Sequence, residues 1–280
     1  MIEVFEPSFM QRALIAGLLA VVATSMIGTW VVLRGLAFLS DALSHGVIPG
    51  IALAVLWGFS PIVGALVAAA IMAGMVSLVS SRTVIRDDTS IGLLFVGMLS
   101  LGIVIVSKAR SFATEVTSLL FGDVLGVTRG DIVTQLVVTI IVVVATVVFY
   151  RPFLALTFNP EKAASLGLRP RWAHLGMMVL LALSIVAGFQ AVGTLLVFGL
   201  VVGPPATASL ITQRIPIMML VSIAFGSVAV VFGLVISFYW STAGGATMSG
   251  LSIAQFFLVL ALTELWRAVR PSAASTEATV

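Results

Sequence analysis

Apolar runs repeat along almost the whole chain, separated by short polar or glycine-containing links. A bilayer core about 30 Å thick needs about 20 apolar residues in a helix. On that rule the pattern predicts nine membrane-spanning helices, at 13–33, 37–57, 61–80, 89–107, 131–150, 172–191, 193–212, 216–238 and 250–268. Gly and Pro interrupt several of them, which leaves eight to ten as the range. Membrane β-barrels show alternating segments of about ten residues instead. The continuous runs here therefore predict an all-α polytopic membrane protein. The links near 34–36, 58–60 and 213–215 are so short that their flanking spans must form tight antiparallel hairpins.

Composition agrees. The chain is 60% hydrophobic and 9% charged, with a mean hydropathy of +1.23. Soluble domains carry about 25% charged residues. One transmembrane domain over 1–270 is expected, followed by a small polar tail, 271–280, expected to be disordered and cytoplasmic. There is no cysteine, so disulfides and thiolate sites are excluded. The basic residues are scattered, so lipid and not nucleic acid is the expected surround. The acidic start, Met1-Ile-Glu-Val-Phe-Glu, does not resemble a cleavable signal peptide.

The positive charges orient the spans. Arg34, Arg82, Arg86, Arg151, Lys162, Arg169, Arg171, Arg214, Arg267 and Arg270 fall on one set of links. Arg12, Lys108, Arg110 and Arg129 fall on the other. The richer set should be cytoplasmic. Nine spans then put the N-terminus outside and the C-terminus inside.

Two residues break the apolar pattern of the second span. Asp41 and His45 stand four apart, so they share one helix face. Ionisable groups inside a membrane are costly and mark functional sites. Oxygen and nitrogen donors suit a divalent transition metal. The capped-helix explanation accounts for Asp41 but not for His45, which lies about 15 Å along the helix from Gly35. One chain supplies two ligands where such metals want at least about four. A two-fold homodimer with this face on its axis would supply two Asp and two His. Ser40 and Ser44 are candidate supporting groups, Ser44 also as a path-lining residue. Pro49 and Gly50 follow directly and are expected to break or hinge the helix.

A second expected break or hinge is Gly203-Pro204-Pro205 in the seventh span. Gln190 is a candidate path-lining residue near the outer end of its span. His174 reads as an interfacial polar residue. Glu264 reads as a snorkelling residue or a partner of Arg267 or Arg270.

The segment after Arg151 reads as a short capped cytoplasmic helix. Asn159 is its N-cap, Pro160 suits the first turn, and Glu161 suits the positive helix end. Gly167 ends it and Pro170 prevents continuation. It is either a connector or a docking element for a cytoplasmic partner. No phosphate-binding loop of the Gly-x-x-x-x-Gly-Lys-Ser/Thr type occurs, so nucleotide hydrolysis by this chain is not expected. No enzymatic constellation stands out.

Several pieces together resemble the permease subunits of the zinc, manganese and iron ATP-binding cassette importers. They are Phe9–Leu14, Val31–Ala52 with its Asp-x-x-x-His and Pro-Gly, Phe121–Gly126, Phe158–Leu168 and Gln190–Ala208. Ser40 and the doubled Pro204-Pro205 depart from the usual pattern without removing a ligand. The resemblance implies a homodimeric permease on two copies of a cytoplasmic ATP-binding subunit. It also implies an extracytoplasmic metal-binding protein and a prokaryotic plasma membrane. Asp41 and His45 then correspond to the metal site. Asn159, Pro160, Glu161, Ala164 and Gly167 correspond to the helix that couples to the ATPase. No permanently bound cofactor is implied. The cargo is a divalent ion, Mn²⁺ or Zn²⁺ ahead of Fe²⁺. The competing readings are a permease for metal chelates such as siderophores and an ATPase-independent secondary transporter.

Overall fold

The structure is a computed structural model that describes residues 2–82, 87–108, 126–158 and 170–269. Its elements are helical throughout. They are α1 (Ser8–Leu33), α2 (Ala37–Gly46), α3 (Ile48–Leu56), α4 (Pro61–Arg82), α5 (Asp87–Lys108) and α6 (Arg129–Val148). They continue with α7 (Tyr150–Phe158), α8 (Pro170–Val192), α9 (Thr194–Ile211), α10 (Ile215–Trp240) and α11 (Gly244–Val269). Among the described residues, 8 segments are long and apolar enough to cross a membrane, α2 and α3 counting as one. Val197–Ile211, within α9, is a shorter apolar helix. The nine expected spans are all present as helical segments.

Local chemistry places the ends. Gly35 (φ 65°) and Gly58 (φ 73°) make the tight turns after α1 and α3, and Gly193 (φ 91°) separates α8 from α9. Ser241 (φ 51°) closes α10 in the left-handed conformation. Thr128 and Asp131 form a reciprocal capping box that starts α6. Its two backbone-to-side-chain bonds measure 2.9 and 3.3 Å.

Two local expectations change. The second span is not one helix: α2 stops at Gly46 and α3 starts at Ile48, with Val47 between them. Pro49 has no N–H to give the His45 carbonyl, and the Val47 N–H turns onto that oxygen instead. The short helix α7 was not anticipated. It follows α6 directly and lays Tyr150 and Phe153 edge-on against buried Trp30, with ring centroids 5.4 and 5.8 Å away. The helix expected from Asn159 onward, residues 121–125 of the Phe121–Gly126 motif and the tail 271–280 lie outside the described residues.

Helices α1 and α8 form the centre. α1 packs against α6, α8, α9 and α10, while α8 also reaches α2, α4 and α7. α3 and α4 form a hairpin with α5 beside it, and α11 covers α9 and α10. Small residues let these backbones approach, as membrane helices require. A Cβ on Gly50 would collide with the Gly64 carbonyl, and one on Gly64 with the Gly50 carbonyl. Gly199 and Gly203 of α9 likewise accept Ser249 and Ser252 of α11. The Ser252 hydroxyl donates to the Gly199 carbonyl at 3.1 Å. Outward faces carry exposed Val96, Leu101, Ile140, Leu220 and Phe257, side chains suited to lipid.

Candidate metal centre

Asp41 and His45 lie on one face of α2, as their spacing requires. The His45 Nε2 and Asp41 Oδ1 are 3.5 Å apart, too long for a good hydrogen bond. Their side chains are 17% and 31% exposed respectively, so the pair opens off the bundle interior and is not sealed in it. The Asp41 carboxylate has no other hydrogen-bond or ion-pair partner among the described residues.

An adjoining face of α2 is closed. Ser40 and Ser44 are fully buried. Each hydroxyl donates to its own helix, Ser40 to the Ala37 carbonyl at 2.6 Å and Ser44 to the Ser40 carbonyl at 2.8 Å. Neither supports the pair, and Ser44 does not line an open path. The helical turn of 100° per residue separates the serine face from the Asp–His face.

Two neighbours went unrecognised in the sequence. Phe95 of α5 stands edge-on to the His45 ring, centroids 5.5 Å apart and planes at 63°. It also meets Phe38, one turn before Asp41, at 6.1 Å. Met72 of α4 presses its sulfur against Gly46, leaving no space for a side chain there. Both are apolar residues in apolar spans, so nothing in their own sequence context marks them.

Gly50 does not break the helix. It is the contact point of α3 on α4, and the break lies at Val47 ahead of Pro49. Likewise α9 stays helical through Gly203, Pro204 and Pro205, where a break was expected. Neighbouring helices occupy both sides of that stretch. Pro204 lies against α10 near Gly226, and Pro205 lies against α1 near Gly28. The backbone of Gln190 belongs to α8, and its side chain lies outside what is described. The coupling residues Asn159, Pro160, Glu161, Ala164 and Gly167 are also outside the described residues. Glu264 pairs with Arg267 at 2.8 Å on the exposed face of α11.

Among the described residues no group of three or more His, Asp or Glu side chains converges. Asp41 and His45 therefore stand as a pair and not as part of a larger cluster.

A helical bundle of this kind, with an ionisable pair partway along one of its spans, defines a polytopic membrane protein. The chain belongs to the ABC 3 transport family, whose profile matches residues 6–263. It is 34% identical to the manganese transport system membrane protein MntC of Halalkalibacterium halodurans, over 96% of this chain and 94% of that one. It is 32% identical to the probable iron transport system membrane protein of Haemophilus influenzae, over 95% and 97%. The solved structure of PsaBC from Streptococcus pneumoniae in complex with Fab matches with a TM-score of 0.82 at 30% identity, covering 91% of this chain and 92% of that one. The chain is thus a metal-ion permease of the ATP-binding cassette class, a multi-pass protein of a prokaryotic plasma membrane.

Proposed function

We propose that two copies of this chain form the membrane pathway of an ATP-driven importer of divalent transition metal ions. The observation that carries the reading is the Asp41–His45 pair, 3.5 Å apart on a short helix that ends three residues before Pro49. Two such half-sites across a two-fold axis complete a four-ligand O₂N₂ set. Two carboxylates offset the ion's charge, and neutral imidazoles add no repulsion.

The ion arrives from an extracytoplasmic binding protein that docks on the outer links. Two cytoplasmic ATP-binding subunits hold the segment around Asn159–Gly167 and alternate access. The permease itself hydrolyses nothing. The N-terminus lies outside and the C-terminus inside. Manganese is the favoured cargo, because the H. halodurans relative is named for it. Iron is the next candidate, named in the H. influenzae relative. Zinc follows on donor chemistry alone.

The test is ATP-dependent uptake by the chain co-reconstituted with its ATP-binding subunit in proteoliposomes. Mn²⁺, Fe²⁺ and Zn²⁺ are offered singly. Uptake of one of them that requires both ATP and Asp41 supports the reading. Uptake driven by an ion gradient without ATP, or uptake of a chelate but no free ion, overturns it.

A further inference from the structure

Arg34 and His174 are 140 residues apart in sequence, yet a guanidinium N–H of Arg34 lies 2.9 Å from His174 Nδ1. The same nitrogen sits 3.9 Å from the sulfur of buried Met177. His174 and Met177 are three apart on α8, so the Arg34 head rides on one face of that helix. Arginine has no acceptor, so the imidazole presents a lone pair at Nδ1 and keeps its proton on Nε2.

The position of the two residues gives this contact its meaning. α8 begins at Pro170, immediately after segment 159–169. His174 is four residues into it. Arg34 caps the end of α1, its N–H bonded back to the Trp30 and Val32 carbonyls. Gly35 follows at φ 65°, and α2 starts at Ala37. Asp41 is then seven residues from Arg34 and His45 eleven. The chain turns at Gly35, so Arg34 holds the point from which the metal-bearing helix departs.

We infer that Arg34 and His174 are positioning residues that transmit movement of the start of α8 to the Asp41–His45 helix. The inference rests on the transport reading above. A shift or rotation of α8 moves His174 and Met177 together. Arg34 follows, and with it the root of α2. Direct packing of α2 on α8 offers a parallel route. The side-chain contact adds a directional link that packing alone lacks, because a hydrogen bond fixes both distance and angle.

The experiment compares His174→Phe and His174→Asn in the full chain, reconstituted with its ATP-binding subunit. Phe keeps a ring of similar bulk and removes the acceptor. Asn places an amide oxygen near the Nδ1 position. The readout is Mn²⁺ delivered per ATP hydrolysed, with complex yield measured alongside. His174→Phe should hydrolyse ATP at close to the wild-type rate and deliver about fivefold less Mn²⁺ per ATP, the lower end of typical coupling energies. His174→Asn should restore most of the ratio. A merely structural role would lower complex yield and leave the ratio of the surviving complex unchanged. A wild-type ratio in His174→Phe, or equal loss in Phe and Asn, overturns the inference. Failure of the transport reading looks different: Asp41→Ala would then take up Mn²⁺ as well as wild type. If His174→Phe does not assemble, Arg34→Met, which removes the donor, against Arg34→Lys, which keeps one, gives the same comparison from the other side. Equal ratios in that pair would equally overturn the inference.

Discussion

Gly28 of α1 packs directly against the backbone carbonyl of Val201 in α9, so closely that a Cβ would collide with that oxygen. The reason lies one turn further along α9. Pro205 and Pro204 have no N–H, so the Val201 carbonyl lacks both its i+4 and its i+3 donors. Such an oxygen is costly to leave facing lipid, so it is turned into the bundle. Glycine at 28 lets α1 close over it. Gly28→Ala should therefore force the helices apart and cost about 1–3 kcal/mol. Thermal unfolding in detergent checks this, and a Tm equal to wild type would remove the argument.

The Asp41–His45 half-site makes a sharper claim. Asp41→Asn and His45→Ala should leave complex yield intact, because neither side chain supports the core. Uptake should fall by more than about tenfold, since loss of even an outer-shell partner of a metal costs that much. Radiolabelled Mn²⁺ uptake in proteoliposomes measures it. Full uptake by both variants would detach the pair from transport.

Phe95 holds the His45 ring in one orientation. An edge-to-face pair is worth about 0.5–1.5 kcal/mol. Phe95→Leu should raise the Mn²⁺ concentration for half-maximal uptake by about two- to tenfold, with little change in maximal rate. A fall in maximal rate at unchanged half-saturation would point to a gating role for Phe95.

Ser25 and Ser222 invite an opposite result. Gly17 lies on Val230 and Gly226 on Val21, so α1 and α10 run antiparallel in a register that sets Ser25 opposite Ser222. Both are fully buried, and neither hydroxyl has a partner among the described residues. Buried Thr24 and Ser184, by contrast, donate to their own helix, Thr24 to Ala20 at 2.8 Å and Ser184 to Leu180 at 2.8 Å. The double variant Ser25→Ala, Ser222→Ala should be neutral within about 0.5 kcal/mol or stabilising. A loss of about 1 kcal/mol per site would mean that a water bridges them.

The span pattern was legible in the sequence because every stretch of about 20 apolar residues must be helical in lipid. So were the hairpin links at Gly35 and Gly58 and the shared face of Asp41 and His45, which follow from helix geometry alone. The break at Val47 was legible only as a region near Pro49. Proline names the carbonyl that loses its donor, not the residue where the chain turns. Helix α7 was hidden because Arg151 and Pro152 read as the end of a span and the start of a link. Only the packing of its aromatics on Trp30 defines it.

Tertiary structure alone decided the partners. Phe95 beside His45, Met72 against Gly46 and Arg34 on His174 join helices far apart in sequence, and apolar composition carries no record of which face meets which. It also decided that Pro204 and Pro205 stay inside a helix, because Gly28 of α1 and Gly226 of α10 leave room on either side. The sequence by itself thus determined the helices and the chemistry they carry. Their contacts were decided by which small residues allow two backbones to touch, and that depends on both helices at once.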